Sequence, residues 1–249
     1  MKIAVVIPTY KYHIPFLKQT LESIAGQTCI PEIVIVRASS CDHETTPLLN
    51  DIRKDKWPFH LNILETTAKQ FTGQNRNEGI AAIPEDIDII SNFDSDDIMH
   101  PQRLEYIEKM IISGADAVVH NFLSTTNPNV NRCNIESSPY PIYKCLIKDV
   151  TCNTFYISKP IDIKILAFLN ENNKECGYID GAVSVRKEFY SIIKYDSDAK
   201  GYQDAKFVCD LYRLGCNIVY LQNRLLLYRQ EAEDIFVKKH DSLCVEHRD

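Results

Sequence analysis

The sequence predicts an α/β fold: an open, mostly parallel sheet flanked by helices, with a smaller sheet in the second half. Two observations carry this expectation. Short β-branched runs alternate with amphipathic stretches through the first 120 residues, the pattern of strands joined by crossover helices. Runs such as Ile33-Val34-Ile35-Val36 are apolar at consecutive positions, which suits strands covered on both faces. Right-handed crossovers between such strands give a doubly wound sheet.

Taken in order, strands are expected at residues 3–7, 33–36, 61–64, 87–92 and 117–120. Between them, residues 15–25 place Phe16, Leu17, Gln19, Thr20, Leu21 and Ile24 at helical spacing. Residues 74–82 and 101–113 read as further helices, the second opening on Pro101, a residue favoured in a first helical turn. Residues 124–141 are rich in Ser, Thr, Asn and Pro and lack apolar periodicity, so they read as a loop or excursion. Beyond them come strand-like residues 154–158, a helix at 161–170, a strand at 182–186, a helix at 203–214 and strands at 218–221 and 225–228. No Pro/Gly/Ser linker and no internal repeat divides the chain. With 249 residues and 45% hydrophobic side chains, one domain is expected, comprising halves 1–120 and 121–235 and a tail 236–249.

Composition removes several function classes. A net charge of -6, from 28 basic and 34 acidic residues, gives no footprint for long nucleic acid. Nine scattered cysteines without a Cys-x-x-Cys pair argue against a disulfide framework and structural zinc. The apolar run at residues 3–7 is too short for a signal peptide, and no stretch approaches the roughly 20 apolar residues of a membrane helix. A soluble protein of a reducing compartment, most simply the cytoplasm, is expected.

Asp94-Ser95-Asp96-Asp97 follows the expected strand at 87–92, so it lies at the carboxyl end of a strand, where open α/β sheets bind ligands. Residues two apart in an extended segment project to one side, so Asp94 and Asp96 can face one site. Crowded carboxylates repel unless a proton or cation intervenes, and Mg²⁺ or Mn²⁺ with phosphate oxygens meets that need. A solvated acidic turn, with Asp as turn former and helix cap, fits the same four residues.

The company of this cluster resembles the family 2 inverting glycosyltransferases of GT-A, Rossmann-like fold. Four segments match in order: Val5-Val6-Ile7-Pro8-Thr9-Tyr10, Asn75-Arg76-Asn77-Glu78-Gly79-Ile80, Asn92-Phe93-Asp94-Ser95-Asp96-Asp97, and Gly201-Tyr202-Gln203-Asp204 leading into Asp210-Leu211-Tyr212-Arg213-Leu214-Gly215. The resemblance implies transfer of a sugar from a nucleoside diphosphate sugar, UDP foremost, to a hydroxyl of a saccharide, lipid or protein. It implies donor contacts from Pro8, Thr9, Tyr10, Arg76, Asp94 and Ser95, and an Mn²⁺ or Mg²⁺ ion on Asp96 with Asp94. Asp97 supports that site through hydrogen bonds. Asp204, second in the family's acidic pair and ahead of an apolar stripe of Phe207, Val208, Leu211 and Leu214, is the implied general base. Gln203, Gly181 and Arg186 fall on the acceptor side, although small residues at 181–186 suit a tightly packed strand equally. After Tyr228-Arg229, where a metal-binding His sometimes stands, this chain has Gln230 and Glu231; His240 reads as a tail residue.

Two positions depart from the family pattern. Arg37-Ala38-Ser39-Ser40 replaces the usual Asp-Asp-Gly-Ser, whose first acid commonly meets a uracil ring, and Gln203 replaces a Glu. An unusual base, another binding mode and weakened donor binding all stay open. The departures motivate one alternative, a catalytically weak nucleotide-sugar-binding module. A sugar-phosphate nucleotidyltransferase ranks last, because Lys11-Tyr12-His13 supplies no glycine-rich loop near the first strand.

Overall fold

The computed structural model describes residues 1–125, 155–156, 183–199 and 203–229. The first half runs β1 (Ile3–Tyr10), α1 (Ile14–Ala25), β2 (Ile33–Ser39), α2 (Thr45–Lys54), β3 (His60–Glu65), α3 (Thr72–Ala81), β4 (Ile89–Asn92), β5 (Ile98–Met99), α4 (Arg103–Ile112) and β6 (Ala117–Thr125). The second half contributes β7 (Phe155–Tyr156), β8 (Ser184–Arg186), a 3-10 turn (Lys187–Ser191), α5 (Gln203–Arg213) and β9 (Ile218–Arg229). The expected helix at 161–170 and the tail lie outside the described residues.

The described strands form one sheet in the order β3-β2-β1-β4-β8-β6-β9-β5, with β7 paired to β9 beside that path. β3, β2, β1 and β4 are mutually parallel. β8 lies antiparallel between β4 and β6, while β6 and β9 run parallel. Where a separate smaller sheet is the sequence expectation, the described second-half strands extend the same sheet.

The continuous apolar runs have the predicted cause. Ile3, Val5 and Ile7 of β1 pack with Leu17 and Leu21 of α1, Leu49 of α2 and Leu104 of α4. The alternate residues Ala4 and Val6 pack on the other face with Ile35, Ile90 and the α5 residues Phe207, Val208 and Leu211. A period of two therefore buries every residue of a strand covered on both sides. On this second face α3 approaches β1 so closely that a Cβ on Gly79 would stand 2.9 Å from Val6 Cγ1. Only a residue without a side chain fits there unstrained.

Several boundaries differ from expectation. β1 continues through Pro8 to Tyr10. The carbonyls of Lys2 and Val6 accept hydrogen bonds from the β4 side, Asp88 and Phe93 respectively. Pro8, two residues on, thus directs its missing N–H past the end of β4, where no ladder bond is lost. α2 escapes sequence reading because its apolar stripe is short, with Leu49 and Ile52 buried. Its start is fixed by Asp42, whose Oδ1 accepts from the backbone N–H groups of Glu44 and Thr45 at 3.1 and 3.0 Å. The expected strands at 218–221 and 225–228 are one strand, β9, and β6 shifts register between His120 and Asn121 and again before Leu123 to follow it. The polar Gln222-Asn223-Arg224 stretch masked that continuity. Among the described residues no helix is long and apolar enough to cross a membrane.

Candidate active site

Because β1, β2 and β4 are parallel, their carboxyl ends meet at one edge of the sheet. Asn75, at the start of α3, ties the first two together: its Nδ2 donates to Thr9 O at 3.2 Å and to Ser39 Oγ at 2.9 Å. The acidic turn leaves β4 beside them, and its chain reversal is closed by Asp97 N donating to Asp94 O. Thr20 of α1 pins the turn from below, its hydroxyl lying 2.7 Å from Ser95 O and 2.9 Å from Asp97 O.

The strand that presents the turn is anchored by a buried cation. Arg103, fully enclosed, donates to Ser91 Oγ (2.6 Å), to Asn92 O (3.1 Å) and to His120 Nε2 (2.7 Å). Burial pushes its guanidinium down to about 9, so it stays charged at neutral pH. Burial first, and the Arg103 charge second, hold His120 well below the usual imidazole range. His120 is therefore neutral, its Nε2 accepting and its Nδ1 donating to Asn121 O at 2.9 Å.

Each acid of the turn has a different environment. Asp94 accepts a charge-assisted bond from Arg76 Nη2 at 2.7 Å, and the Arg76 side chain is wholly buried while Asp94 keeps 18% exposure. Asp96 faces His13, whose Nδ1 stands 3.7 Å from Asp96 Oδ2. Asp97 is fully buried; its Oδ1 accepts from the backbone N–H of Arg229, while Oδ2 has no hydrogen-bond partner among the described residues. Burial, then the charges of Asp96 and Asp94, raises its carboxyl well above the usual range.

The wall opposite α1 is built by residues 195–198. Asn77 of α3 clamps it reciprocally, Nδ2 donating to Tyr195 O at 2.8 Å and Oδ1 accepting from Tyr195 N at 3.0 Å. The Tyr195 ring lies 5.2 Å from the Arg76 guanidinium and stacks at 4.3 Å on Phe207 of α5. Asp204 sits in the first turn of that helix and Gln203 is buried beside it. A chain of contacts thus joins the base candidate's helix to Arg76 and Asp94.

Of the residues singled out from sequence, Pro8, Thr9, Tyr10, Arg76 and the acidic turn are brought to one edge. Arg186 is not. Its register partner is Ile89 at the opposite end of β4, and its guanidinium caps α4 by donating to Ala115 O (3.1 Å) and Ile111 O (2.6 Å). It also lines a cleft of about 670 Å³ with Asp88, Lys187 and Lys194, which includes no residue of the acidic turn. Gly181 lies outside the described residues. Arg37, where an acid was expected, is turned onto α3: its Nε donates to Glu78 Oε2 at 2.7 Å, and Gln70 and Gln74 hold the other carboxylate oxygen. Thr20, Asn75, His13 and the Arg103–His120 pair were missed; all are joined to the site by contacts between residues distant in sequence, which no local pattern signals.

The donor set fits a hard divalent ion only in company. No group of three or more His, Cys, Asp or Glu among the described residues is placed to hold a metal. One or two carboxylates supplemented by donor phosphate oxygens is the usual arrangement for Mg²⁺, and Asp96 with Asp94 supplies that many. Three buried oxygens with no hydrogen-bond partner among the described residues, Asp97 Oδ2, Ser95 Oγ and Thr9 Oγ1, belong to the same edge.

Fold and site together define a GT-A protein: a mostly parallel sheet with an acidic turn at the end of its central strand. The chain belongs to glycosyl transferase family 2, whose model matches residues 4–190. No curated protein matches it in sequence. Among solved structures it is similar to residues 1–349 of S. aureus TarS in complex with UDP-GlcNAc, with a TM-score of 0.64, 15% identity, and coverage of 92% of this chain and 59% of that one. It is also similar to the mannosyltransferase PcManGT from Pyrobaculum calidifontis in complex with GDP-Man and Mn2+, with a TM-score of 0.61, 14% identity, and coverage of 91% and 56%. The chain therefore spans little over half the length of these structures.

Proposed function

We propose that this protein is an inverting glycosyltransferase that moves a hexosyl or N-acetylhexosaminyl group from a nucleoside diphosphate sugar, with UDP as the favoured nucleotide, to an acceptor hydroxyl. The observation that carries the reading is the acidic turn at the end of β4, in a family 2 chain, with Asp94 paired to the buried Arg76 and unsatisfied oxygens around it. Thr9, Tyr10, Ser95 and Arg76 bind the donor; Asp96 with Asp94 holds Mn²⁺ or Mg²⁺. When bound, that ion neutralises charge on the leaving diphosphate. Asp204 takes the proton of the acceptor hydroxyl as the anomeric carbon is attacked from the opposite face. Residues 1–120 form the donor half and 121–235 the acceptor half, with a saccharide, lipid or protein as acceptor. A cytoplasmic location is part of the proposal, resting on nine scattered cysteines without a paired spacing.

Calorimetry with UDP-, GDP- and dTDP-sugars, with and without Mn²⁺, tests the reading. Metal-dependent binding of one donor that is lost in Asp96→Ala is expected; absence of binding by any of them refutes it. With an acceptor found, Asp204→Asn should retain donor binding and lose turnover by about 10² or more. A second reading, a nucleotide-sugar-binding module with little turnover, is favoured by the Arg37–Glu78 pair and by Gln203 ahead of Asp204. Donor binding without hydrolysis or transfer across an acceptor panel selects that reading.

A further inference from the structure

His13 is used by nothing described above, yet it occupies the site. It ends the turn after β1, its backbone N–H donating to Tyr10 O at 2.8 Å, and it caps the start of α1 without a side-chain capping bond. Its ring packs at 4.4 Å against Tyr10, which holds it over the acidic turn. Nδ1 lies 3.7 Å from Asp96 Oδ2, beyond hydrogen-bond length, and Nε2 is buried with no hydrogen-bond partner among the described residues. A part-buried imidazole, 15% exposed, whose inner nitrogen has no hydrogen-bond partner among the described residues and which faces a carboxylate, needs an explanation. The neighbouring orphans sharpen it: Asp97 Oδ2, Ser95 Oγ and Thr9 Oγ1 belong to residues at most 3% exposed, and none is satisfied. Unused nitrogen and oxygen atoms on one turn, and on the strand end beside it, mark a polar ligand.

Geometry suits an ion between His13 and Asp96. With bonds of about 2.1 Å to each, adjacent ligand atoms of an octahedral ion stand about 3.0 Å apart. The observed 3.7 Å needs a closure of about 0.7 Å, within the reach of one side-chain adjustment. Charge agrees: Asp94 is compensated by Arg76, whereas Asp96 faces the imidazole. We propose that His13 is a ligand, beside Asp96, of the divalent ion that accompanies the donor diphosphate, and that its nitrogen selects Mn²⁺ over Mg²⁺. The selectivity follows from ligand type: an all-oxygen site suits Mg²⁺, while an imidazole favours the transition ion. The inference rests on the donor-site reading above and refines it: His13 takes the place of Asp94, whose charge Arg76 already meets, as the second protein ligand beside Asp96.

The test is pulsed electron paramagnetic resonance of Mn²⁺ bound to the full chain with UDP, and separately with GDP. Nitrogen modulation that changes on ¹⁵N-histidine labelling, and disappears in His13→Gln, is expected. Mn²⁺ affinity in the presence of the nucleotide should fall at least about tenfold in His13→Gln, the loss that even outer-shell ligand partners bring, with Mg²⁺ affinity falling far less. If Mn²⁺ and nucleotide bind in an Asp96-dependent manner without histidine nitrogen coupling in the wild type, the inference is overturned and the donor-site reading stands. If neither nucleotide binds with metal, both fall. Absence of histidine coupling in the labelled wild type overturns the inference whether or not His13→Gln folds, and His13→Asn is the second variant that assigns the coupling among the chain's seven histidines.

Discussion

Acid should loosen this protein chiefly through the buried His120, and His120→Gln should remove that residue's share of the sensitivity. In the folded state His120 Nε2 accepts from Arg103 at 2.7 Å, and Nδ1 donates to Asn121 O. A second ring proton would break the first bond and set two cations against each other in a fully buried place. The folded pKa is accordingly depressed well below the ordinary value of 6.5, whereas the unfolded chain titrates normally. Below pH 6.5 the unfolded state therefore binds more protons, and stability falls as pH drops; above it this group contributes no slope. Each pH unit below 6.5 costs at most about 1.4 kcal/mol, so the loss by pH 5 is at most about 2 kcal/mol, or roughly 4–8 °C in Tm for a chain of this size. Gln at 120 keeps an acceptor for the Arg103 N–H and cannot titrate. It should lower stability at pH 7.5 by about 1–3 kcal/mol and flatten the profile between pH 6.5 and 5. Urea denaturation of both proteins across pH 5 to 8 measures this. His100, also depressed by burial, leaves a residual slope of the same sign in both, so the comparison rests on the difference. Parallel profiles would refute the assignment of His120 as the neutral partner of Arg103.

Three further outcomes are expected. Thr20→Val, which removes the hydroxyl shared between Ser95 O and Asp97 O, should cost about 1–3 kcal/mol in urea denaturation and weaken metal-dependent donor binding in calorimetry. Gly73→Ala would place a Cβ 2.1 Å from Asp196 O, so proteolysis or hydrogen exchange should show residues 195–198 released from α3; unchanged protection there would contradict the close approach. A double-mutant cycle on Arg37 and Glu78, read by chemical denaturation, should give a coupling of about 0.5–1 kcal/mol, small because Glu78 is 37% exposed. A coupling of zero would mean that the pair does not hold Arg37 against α3.

The sequence by itself determined the layered α/β plan, because strands buried on both faces must be apolar at every position and helices on one stripe only. It also determined that Asp94, Asp96 and Asp97 follow a central strand, and that Arg76 and Asp204 belong to the same family pattern. Local periodicity could go no further. Arg186 was placed on the acceptor side by a run of small residues that suits a packed strand equally, and antiparallel pairing of β8 carries it to the far end of β4, where it caps α4. Arg37 read as a misplaced charge at the base end, and only the packing of α3 on β2 gives it Glu78 as a partner. His13, 83 residues from Asp96, and Arg103, 17 residues from His120, become neighbours through strand order and helix packing. Contacts of that range depend on how whole elements pack, and no window of the sequence contains both partners in a recognisable period. The tertiary structure alone therefore decided which polar groups around the acidic turn have hydrogen-bond partners among the described residues and which have none.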